Sequence, residues 1–431
     1  SIDWSSVSGS CFVMEYGPEG FIQGSGNGTT VNNATSPSSI TGLSPNTVYD
    51  VYIRDCCDSN SWSSVVNFRT DCTSQLSGTY TVGGTPGPNN FATLDSVVDV
   101  LNACGMSGPV TINLNGGTHS AISIGNVDGS SATNMITING SVSGDSIVAN
   151  TGMAVDLDGA RNVTLNNLYI ETQGASSAYA IWMHNASNNI HITNNTIVAN
   201  PNVTISSVCA IAATETNSSI FSYGDNVSNV TIDGNTIIGG YTGLVVNGLS
   251  TVNHNPGVTI TNNTFTDQYY YGVRVYYMDD VNIEGNTLSD FRNTFNYGLY
   301  VYYCDNADVI KNEVEAVYGL YYQYVNQYTP GIISTVENNV LNAERSALYT
   351  YGSRNINIYH NTASTSGPGT FYYACYVGGG FGTTTSDSVT VKNNIFSVND
   401  GFALYVSTIQ NEKDIDYNLY YGIGTNLAYD G

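Results

Sequence analysis

The sequence predicts an all-β chain whose greater part is a parallel β-helix, and three observations carry that expectation. One motif, apolar-x-apolar-x-x-Asn-x-apolar, recurs as "NIHITNNTI", "NVTIDGNTI", "GVTITNNTF", "DVNIEGNTL", "NINIYHNTA" and "SVTVKNNIF". Its asparagine falls at Asn195, Asn235, Asn263, Asn286, Asn312, Asn339, Asn361, Asn394 and Asn418, so successive gaps run from 22 to 40 residues. Repetition on that scale marks a solenoid, a propeller or an array. Each repeat also holds two strand-like pieces and no helical pattern, and repeats differ in length by loop insertion. Finally, the asparagine recurs at one bend. A stacked Asn amide can donate to one coil and accept from the next, pairing turn backbone that burial would otherwise leave unsatisfied. At the usual strand separation, roughly a dozen coils make a stack on the order of 60 Å long.

Residues 1–73 read differently. Short alternating strands, "CFVMEYG", "SSITGL", "VYDVYIRDC" and "VVNFRTDC", are separated by Gly, Asn, Pro and Ser, the pattern of a β-sandwich. The run "SSITGLSPNTVYDVYIRDCC" followed by "WSSVVNFRTDC" resembles the fibronectin type III modules of secreted Bacteroidota surface proteins. That resemblance implies core positions at Leu43 and Tyr49 with a Pro-Asn turn between them, a missing first strand, and the role of a spacer.

Residues 74–108 form a linker and a helix. In "NFATLDSVVDVLNACG", Phe91, Leu94, Val97, Val98 and Leu101 follow helical spacing and Gly105 closes the run. The segment resembles the helical cap over the first coil of a right-handed parallel β-helix. Residues 109–431 resemble the coil repeat of the pectate-lyase-like superfamily, which implies a right-handed β-helix solenoid.

Composition narrows the function. With 10 Lys and Arg against 34 Asp and Glu, the net charge is −24. That balance argues against nucleic acid and anionic membrane surfaces as partners, since both need a basic footprint. No run of about 18 apolar residues is present, so no membrane-inserting segment is expected. Cys11, Cys56, Cys57 and Cys72 crowd the first segment, which suggests disulfides and a secreted or cell-surface setting. Cys209, Cys304 and Cys375 read as buried thiols. The first and last residues read as the interior of a longer chain, with further domains of the same protein as neighbours.

The most distinctive stretch is "YYYGVRVYYMDDVNIEGN", Tyr269 to Asn286, nearly restated as "FNYGLYVYYCDNADVIKN", Phe295 to Asn312. Strand alternation sorts these side chains. Val273, Val275, Leu299 and Val301 point inward, and Arg274, Tyr276, Tyr300 and Tyr302 point outward. Extended to the other repeats, one outward column reads Trp182, Val245, Arg274, Tyr300, Tyr321, Tyr349, Tyr376, Tyr405. Beside it runs His184, Asn247, Tyr276, Tyr302, Gln323, Tyr351. A contiguous aromatic face is expected to bind a partner. The tyrosine ring and hydroxyl match the apolar face and polar rim of a sugar. Two structural alternatives stand beside this: aromatics stabilise strand neighbours, and long inserts fold over the stripe.

For chemistry, polysaccharide lyases of this fold use Lys or Arg, and hydrolases need paired carboxylates. Only Lys311, Lys392, Lys413 and seven arginines exist, and Arg274 alone lies in the stripe. Asp279 and Asp280 match the adjacent Asp pair of galacturonan hydrolases, but the NxD, GHG and RxK motifs of that family are missing from the matching places. Arg274, Asp279 and Asp280 are therefore the catalytic candidates, against an overall balance that disfavours catalysis. Asp279 and Asp305 are one coil apart, the spacing at which stacked carboxylates raise one another's pKa or share a calcium ion. No cofactor is required. The expected function is a non-catalytic adhesin or carbohydrate-binding segment that touches a glycan or other extracellular polymer, exported by type IX secretion as the Bacteroidota resemblance implies. The alternatives are a polysaccharide lyase or glycoside hydrolase on the same scaffold, and a structural stalk of a surface filament.

Overall fold

The computed structural model describes residues 2–5, 11–43, 47–58, 61–72, 75–84, 87–141, 144–329, 331–379, 386–407, 409–423 and 427–430. The chain divides into two compact units, Ser1–Leu76 with Val100–Ser107, and Ser77–Asp99 with Gly108–Gly431.

In the first unit, the strands Phe12–Pro18, Thr29–Ala34, Val48–Asp55 and Val66–Arg69 form a four-stranded antiparallel sheet, with Phe12–Pro18 and Val48–Asp55 at its centre. Met14, Ala34 and Val51 are its buried centre. Tyr49 is buried and stacks on Phe68 with ring centroids 6.0 Å apart, and Leu43 is half-buried. The Pro45-Asn46 turn lies outside the described residues. Disulfides join Cys11 to Cys56 and Cys72 to Cys104, while Cys57 is free and exposed. Closing loops of this length stabilises a small unit by about 3–4 kcal/mol each in the chain-entropy account. Cys209, Cys304 and Cys375 are buried thiols.

One helix spans Leu94–Cys104. The Thr93 hydroxyl accepts from the Ser96 amide at its start, and Gly105, at φ 72°, ends it in the left-handed conformation that glycine adopts without steric cost. Leu94, Val97, Val98 and Leu101 are buried along one side.

The second unit is a right-handed parallel β-helix. Parallel strands pair coil to coil through a 14-stranded and a 22-stranded sheet. Most complete coils among the described residues carry three strands where alternation predicts two. The third is a short piece after the ladder asparagine, such as Thr196–Ala199, Thr236–Gly239 or Thr287–Leu288. Two to four residues are too few for a legible period of two. In the coils with compact corners, this piece merges with the next strand into the continuous Glu313–Gln323 and Val340–Tyr351.

The bend after the first strand is built identically from coil to coil. The residue before each ladder asparagine is left-handed: Asn194, Gly234, Asn262, Gly285, Lys311, Asn338, His360, Asn393 and Tyr417 have φ between 55° and 68°. The asparagine turns inward. Asn312 shows the pattern: its Nδ2 donates to Ile283 O at 2.8 Å and Asn339 Oδ1 at 3.0 Å, while its Oδ1 accepts from the backbone N and the Nδ2 of Asn286, both at 3.0 Å. The same link runs unbroken from Asn195 through Asn235, Asn263, Asn286, Asn312, Asn339, Asn361 and Asn394 to Asn418.

Inward columns pack the interior. Val275, Val301, Tyr322, Thr350 and Val377 succeed one another in register and are fully buried. The Tyr-Gly pair at Tyr271, Tyr297 and Tyr318 answers a close approach, since a Cβ on Gly298 would lie 2.3 Å from Val314 Cγ1.

Replacing Asn312 by Ala removes an acceptor for two buried donors and leaves Ile283 O and Asn339 Oδ1 each one donor short. It should lower the unfolding free energy by about 3 kcal/mol, measured by chemical denaturation. Asn418→Ala, at the half-buried end of the row, should cost clearly less.

Candidate functional site

Each tyrosine strand is held between its neighbours by backbone pairing, so its outward residues align coil on coil. The first predicted column aligns as expected: Arg274, Tyr300, Tyr321, Tyr349, Tyr376 and Tyr405 stand opposite one another in succession. Ala212 takes the place between Trp182 and Val245, and Tyr429 continues the row beyond Tyr405. Tyr276, Tyr302, Gln323 and Tyr351 form the second column. A third column, which alternation alone does not show because it sits at the strand start, contains Tyr271, Tyr297 and Tyr318, with rings stacked 5.5 and 4.8 Å apart.

Alignment is not exposure, and here three expectations are corrected. Thr214–Asn226, the insert after the strand Val208–Ala213, folds across the outward face. Ile220 buries completely in a cluster with Ala212, Val245, Tyr179 and Tyr271. Ile220 O accepts from Arg274 Nη1 at 2.9 Å and from Asn247 Nδ2 at 2.8 Å, and Trp182 Nε1 donates to Thr214 O at 3.0 Å. Arg274, predicted to lie on the open stripe, is 0 % exposed. Its Cζ lies 3.5 Å from the centroid of the Tyr276 ring and 4.9 Å from that of Phe221. Its hydrogen bonds go to Ile220 O, Asn247 Oδ1 and Tyr223 Oη. No carboxylate pairs with it among the described residues. Tyr276 is 8 % exposed beneath Tyr223, whose ring stacks on it at 6.1 Å. Trp182 is partly buried and lies against His184 at 3.7 Å, and the His184 Nε2 meets Asp156 Oδ1 at 2.9 Å.

From Tyr300 to Tyr405 the rings of the column are half-buried, and what covers them is chiefly one another. Tyr321 and Tyr349 stack at 4.7 Å, Tyr349 and Tyr376 at 4.4 Å, Tyr376 and Tyr405 at 5.5 Å, and Tyr405 and Tyr429 at 4.7 Å, with interplanar angles of 18° or less. These distances match the strand separation of the sheet. Ring faces are therefore spent inside the column, which offers the solvent phenol edges. Each stack adds about 0.5–1.5 kcal/mol beyond its buried area.

The regular stacking breaks at Gln323, the only non-aromatic residue between Tyr302 and Tyr351 in the second column. Here a cleft of about 640 Å³ opens, lined by Phe221, Tyr223, Arg274, Tyr276, Tyr277, Tyr300, Tyr302, Gln323, Tyr324, Tyr349 and Tyr351. Tyr300 Oη donates to Gln323 Oε1 at 3.2 Å. The corner after the tyrosine strand supplies a second wall. Tyr277, Tyr303 and Tyr324 occupy the left-handed region at φ 59°, 49° and 55°, a position that costs a bulky residue about 1–2 kcal/mol. Tyr324 stands at 88° to Tyr302 and stacks on Tyr303 at 4.6 Å. The cleft thus has two aromatic walls close to perpendicular. Burial pushes the hydroxyl pKa of Tyr277 and of Tyr324 up to about 12, and raises those of Tyr300 and Tyr302 as well, so every one of these groups is a neutral hydrogen-bond donor at neutral pH.

The catalytic candidates do not assemble. Arg274 is engaged under the insert. Asp279 Oδ1 accepts from His254 Nδ1 at 2.8 Å, and Asp280 Oδ1 accepts from Asn306 Nδ2 at 2.6 Å. None of the cleft-lining residues is a carboxylate. Asp279 and Asp305 do stand opposite each other in neighbouring strands, as their spacing predicts. The third member of that group, His254, was missed because it sits in a corner loop without repeat. Counting the shared register back one coil to Pro256, two residues away, would have found it.

Residues 218–378 match the family model described as a right handed beta helix region. No curated protein sequence matches the chain. Among solved structures, the chain is similar to PfbA, a surface adhesin of Streptococcus pneumoniae, at 14% identity and a TM-score of 0.44, covering 74% of this chain and 80% of that one. It is also similar to the Dettilon tailspike protein, at 10% identity and a TM-score of 0.35 over 77% of this chain and 64% of that one. A family 28 exopolygalacturonase of Yersinia enterocolitica gives 9% identity and a TM-score of 0.33 over 91% and 86%. The choice between binding and catalysis rests on the residues.

A phenol whose pKa rises from 10.0 on folding stabilises the fold fully below pH 10 and loses that contribution as pH climbs toward the folded value. For Tyr277 and Tyr324 the window is pH 10 to about 12. Tyrosinate absorbance should then rise later than in free tyrosine and together with loss of β-sheet circular dichroism.

Proposed function

We propose that this chain is a non-catalytic binding segment of a secreted or cell-surface protein, and that it holds a glycan in the tyrosine cleft between Tyr223 and Tyr351. The observation that carries this reading is the cleft itself, where the stacked column is interrupted at Gln323 and two aromatic walls meet close to a right angle. Ring faces there can lie against the apolar face of a sugar, while phenol hydroxyls and the Gln323 amide meet its rim. The absence of a carboxylate among the lining residues speaks for retention of the ligand and against its cleavage. Two disulfides in the first unit favour an oxidising, extracellular compartment. In the same reading, the first unit is a fibronectin-like spacer, and the Bacteroidota resemblance of its sequence makes type IX secretion the route of export.

A structural reading competes for the upper column. From Tyr321 to Tyr429 the rings cover one another's faces, which suits a stiff stalk better than a sugar platform. The two readings divide the ladder: binding at the interruption, stiffening above it.

A glycan array probed with and without calcium tests this, followed by a search for shortened chains in any bound glycan. Tyr302→Ala with Tyr351→Ala should weaken binding at least about tenfold, ~1.4 kcal/mol, with no shortened product. Tyr405→Ala should leave affinity unchanged and lower thermal stability. Equal loss of affinity in Tyr405→Ala, or no bound glycan at all, would sink the cleft as the site.

A further inference from the structure

We propose that His254, Asp279 and Asp305 form a binding site for one divalent transition-metal cation of the zinc class, independently of what the cleft binds. The three residues come from three consecutive coils. His254 closes the corner loop before the strand Asn255–Thr261, Asp279 is the second residue of Met278–Glu284, and Asp305 opens Asp305–Ile310. Backbone register places Pro256, Asp279 and Asp305 opposite one another. Donor atoms of all three residues lie within 4.8 Å of one another. His254 Nδ1 is 2.8 Å from Asp279 Oδ1 and 3.9 Å from Asp305 Oδ2. Donors about 2.0–2.2 Å from a common cation are separated by roughly 3–4 Å, so the 3.9 Å separation already suits a shared cation and the 2.8 Å hydrogen bond has only to open slightly as the cation replaces its proton.

Charge points the same way. The His254 and Asp305 side chains are each only 4 % exposed, and Asp305 Oδ1 is buried without a hydrogen-bond partner. Among the described residues, no lysine or arginine pairs with Asp279 or Asp305. Two stacked carboxylates with one imidazole remain net negative even when the imidazole is protonated, and a buried uncompensated charge is costly. A divalent cation cancels it. The Thr329 hydroxyl donates to Asp305 Oδ2 and orients that carboxylate from outside the donor set. Asp279, 42 % exposed, leaves the site open to solvent, so a cation can enter and water can complete its shell. An imidazole donor beside two carboxylates suits zinc-class ions, whereas calcium takes oxygen ligands.

The site adjoins, along the chain, the corner that carries the second cleft wall. Asp279 is two residues from Tyr277 and Asp305 two from Tyr303, while Thr329 follows Tyr328, whose ring stacks on Tyr303 at 6.1 Å. A bound cation pins two turns that hold tyrosines in the left-handed conformation.

The test is calorimetric titration of the full chain, stripped with a chelator, with Zn²⁺, Mn²⁺ and Ca²⁺ in separate experiments. The expected result is one Zn²⁺ per chain, bound at least about tenfold tighter than Ca²⁺. That site should vanish in Asp305→Asn and weaken about tenfold in Thr329→Val. Because Asp305 is buried, the half-exposed Asp279→Asn carries the same test if Asp305→Asn fails to fold. His184→Gln, at a separate histidine–carboxylate contact, should leave the site unchanged. The proposal is overturned by absence of Zn²⁺ binding, by binding that survives every folded ligand variant, or by preference for Ca²⁺.

Discussion

A buried bend needs partners for backbone groups that its own coil cannot supply, and the Asn195–Asn418 row meets that need by passing each amide to the following coil. Every asparagine side chain before Asn418 is both donor upward and acceptor downward, with a further donation to a carbonyl of the preceding coil. The link sets the height of one coil over the next and the phase at which each begins. Loops of any length can then leave the other corners, because register is secured at this one.

The tyrosine columns follow from that constraint. With coils locked at strand separation, outward rings in register meet face to face at 4.4–5.5 Å along the upper column, a stacking geometry that the backbone imposes and the rings then reinforce. The consequence for recognition runs against intuition: the more regular the stack, the less ring face it offers. Binding capacity concentrates where regularity fails, at Gln323 and at the corner tyrosines, whose strained backbone is held by the pairing of Tyr277 N to Tyr302 O, Tyr303 N to Gln323 O and Tyr324 N to Tyr351 O.

Much of this was legible in the residues and some was not, for identifiable reasons. The asparagine positions index the coils, so the opposition of Asp279 with Asp305 could be counted directly, while that of Tyr300 with Tyr321 followed from matching "GLYVYY" with "GLYYQY". Parity also placed Arg274 on the outer side correctly. It could not show that Thr214–Asn226, an insert about two coils upstream, would cover it, because an insert has no period that predicts where it lands. The short third strand escaped for want of length. His254 escaped because a loop residue acquires its neighbours only when the register on either side of it is closed. The cleft combined two of these difficulties: its floor was countable, its roof and corner were not.

A coil that receives an amide below and presents the same amide above is a complete hereditary unit. Copying it whole adds one rung and leaves both neighbours' contacts intact. The segments Tyr269–Asn286 and Phe295–Asn312 have the character of such a copy, down to the "YG" opening, the paired tyrosines at the corner and the aspartate that follows. Duplication there lengthens the scaffold and in the same event doubles the tyrosine wall and the acidic register position. In a solenoid of this kind, growth of the molecule and enrichment of its site are one genetic step.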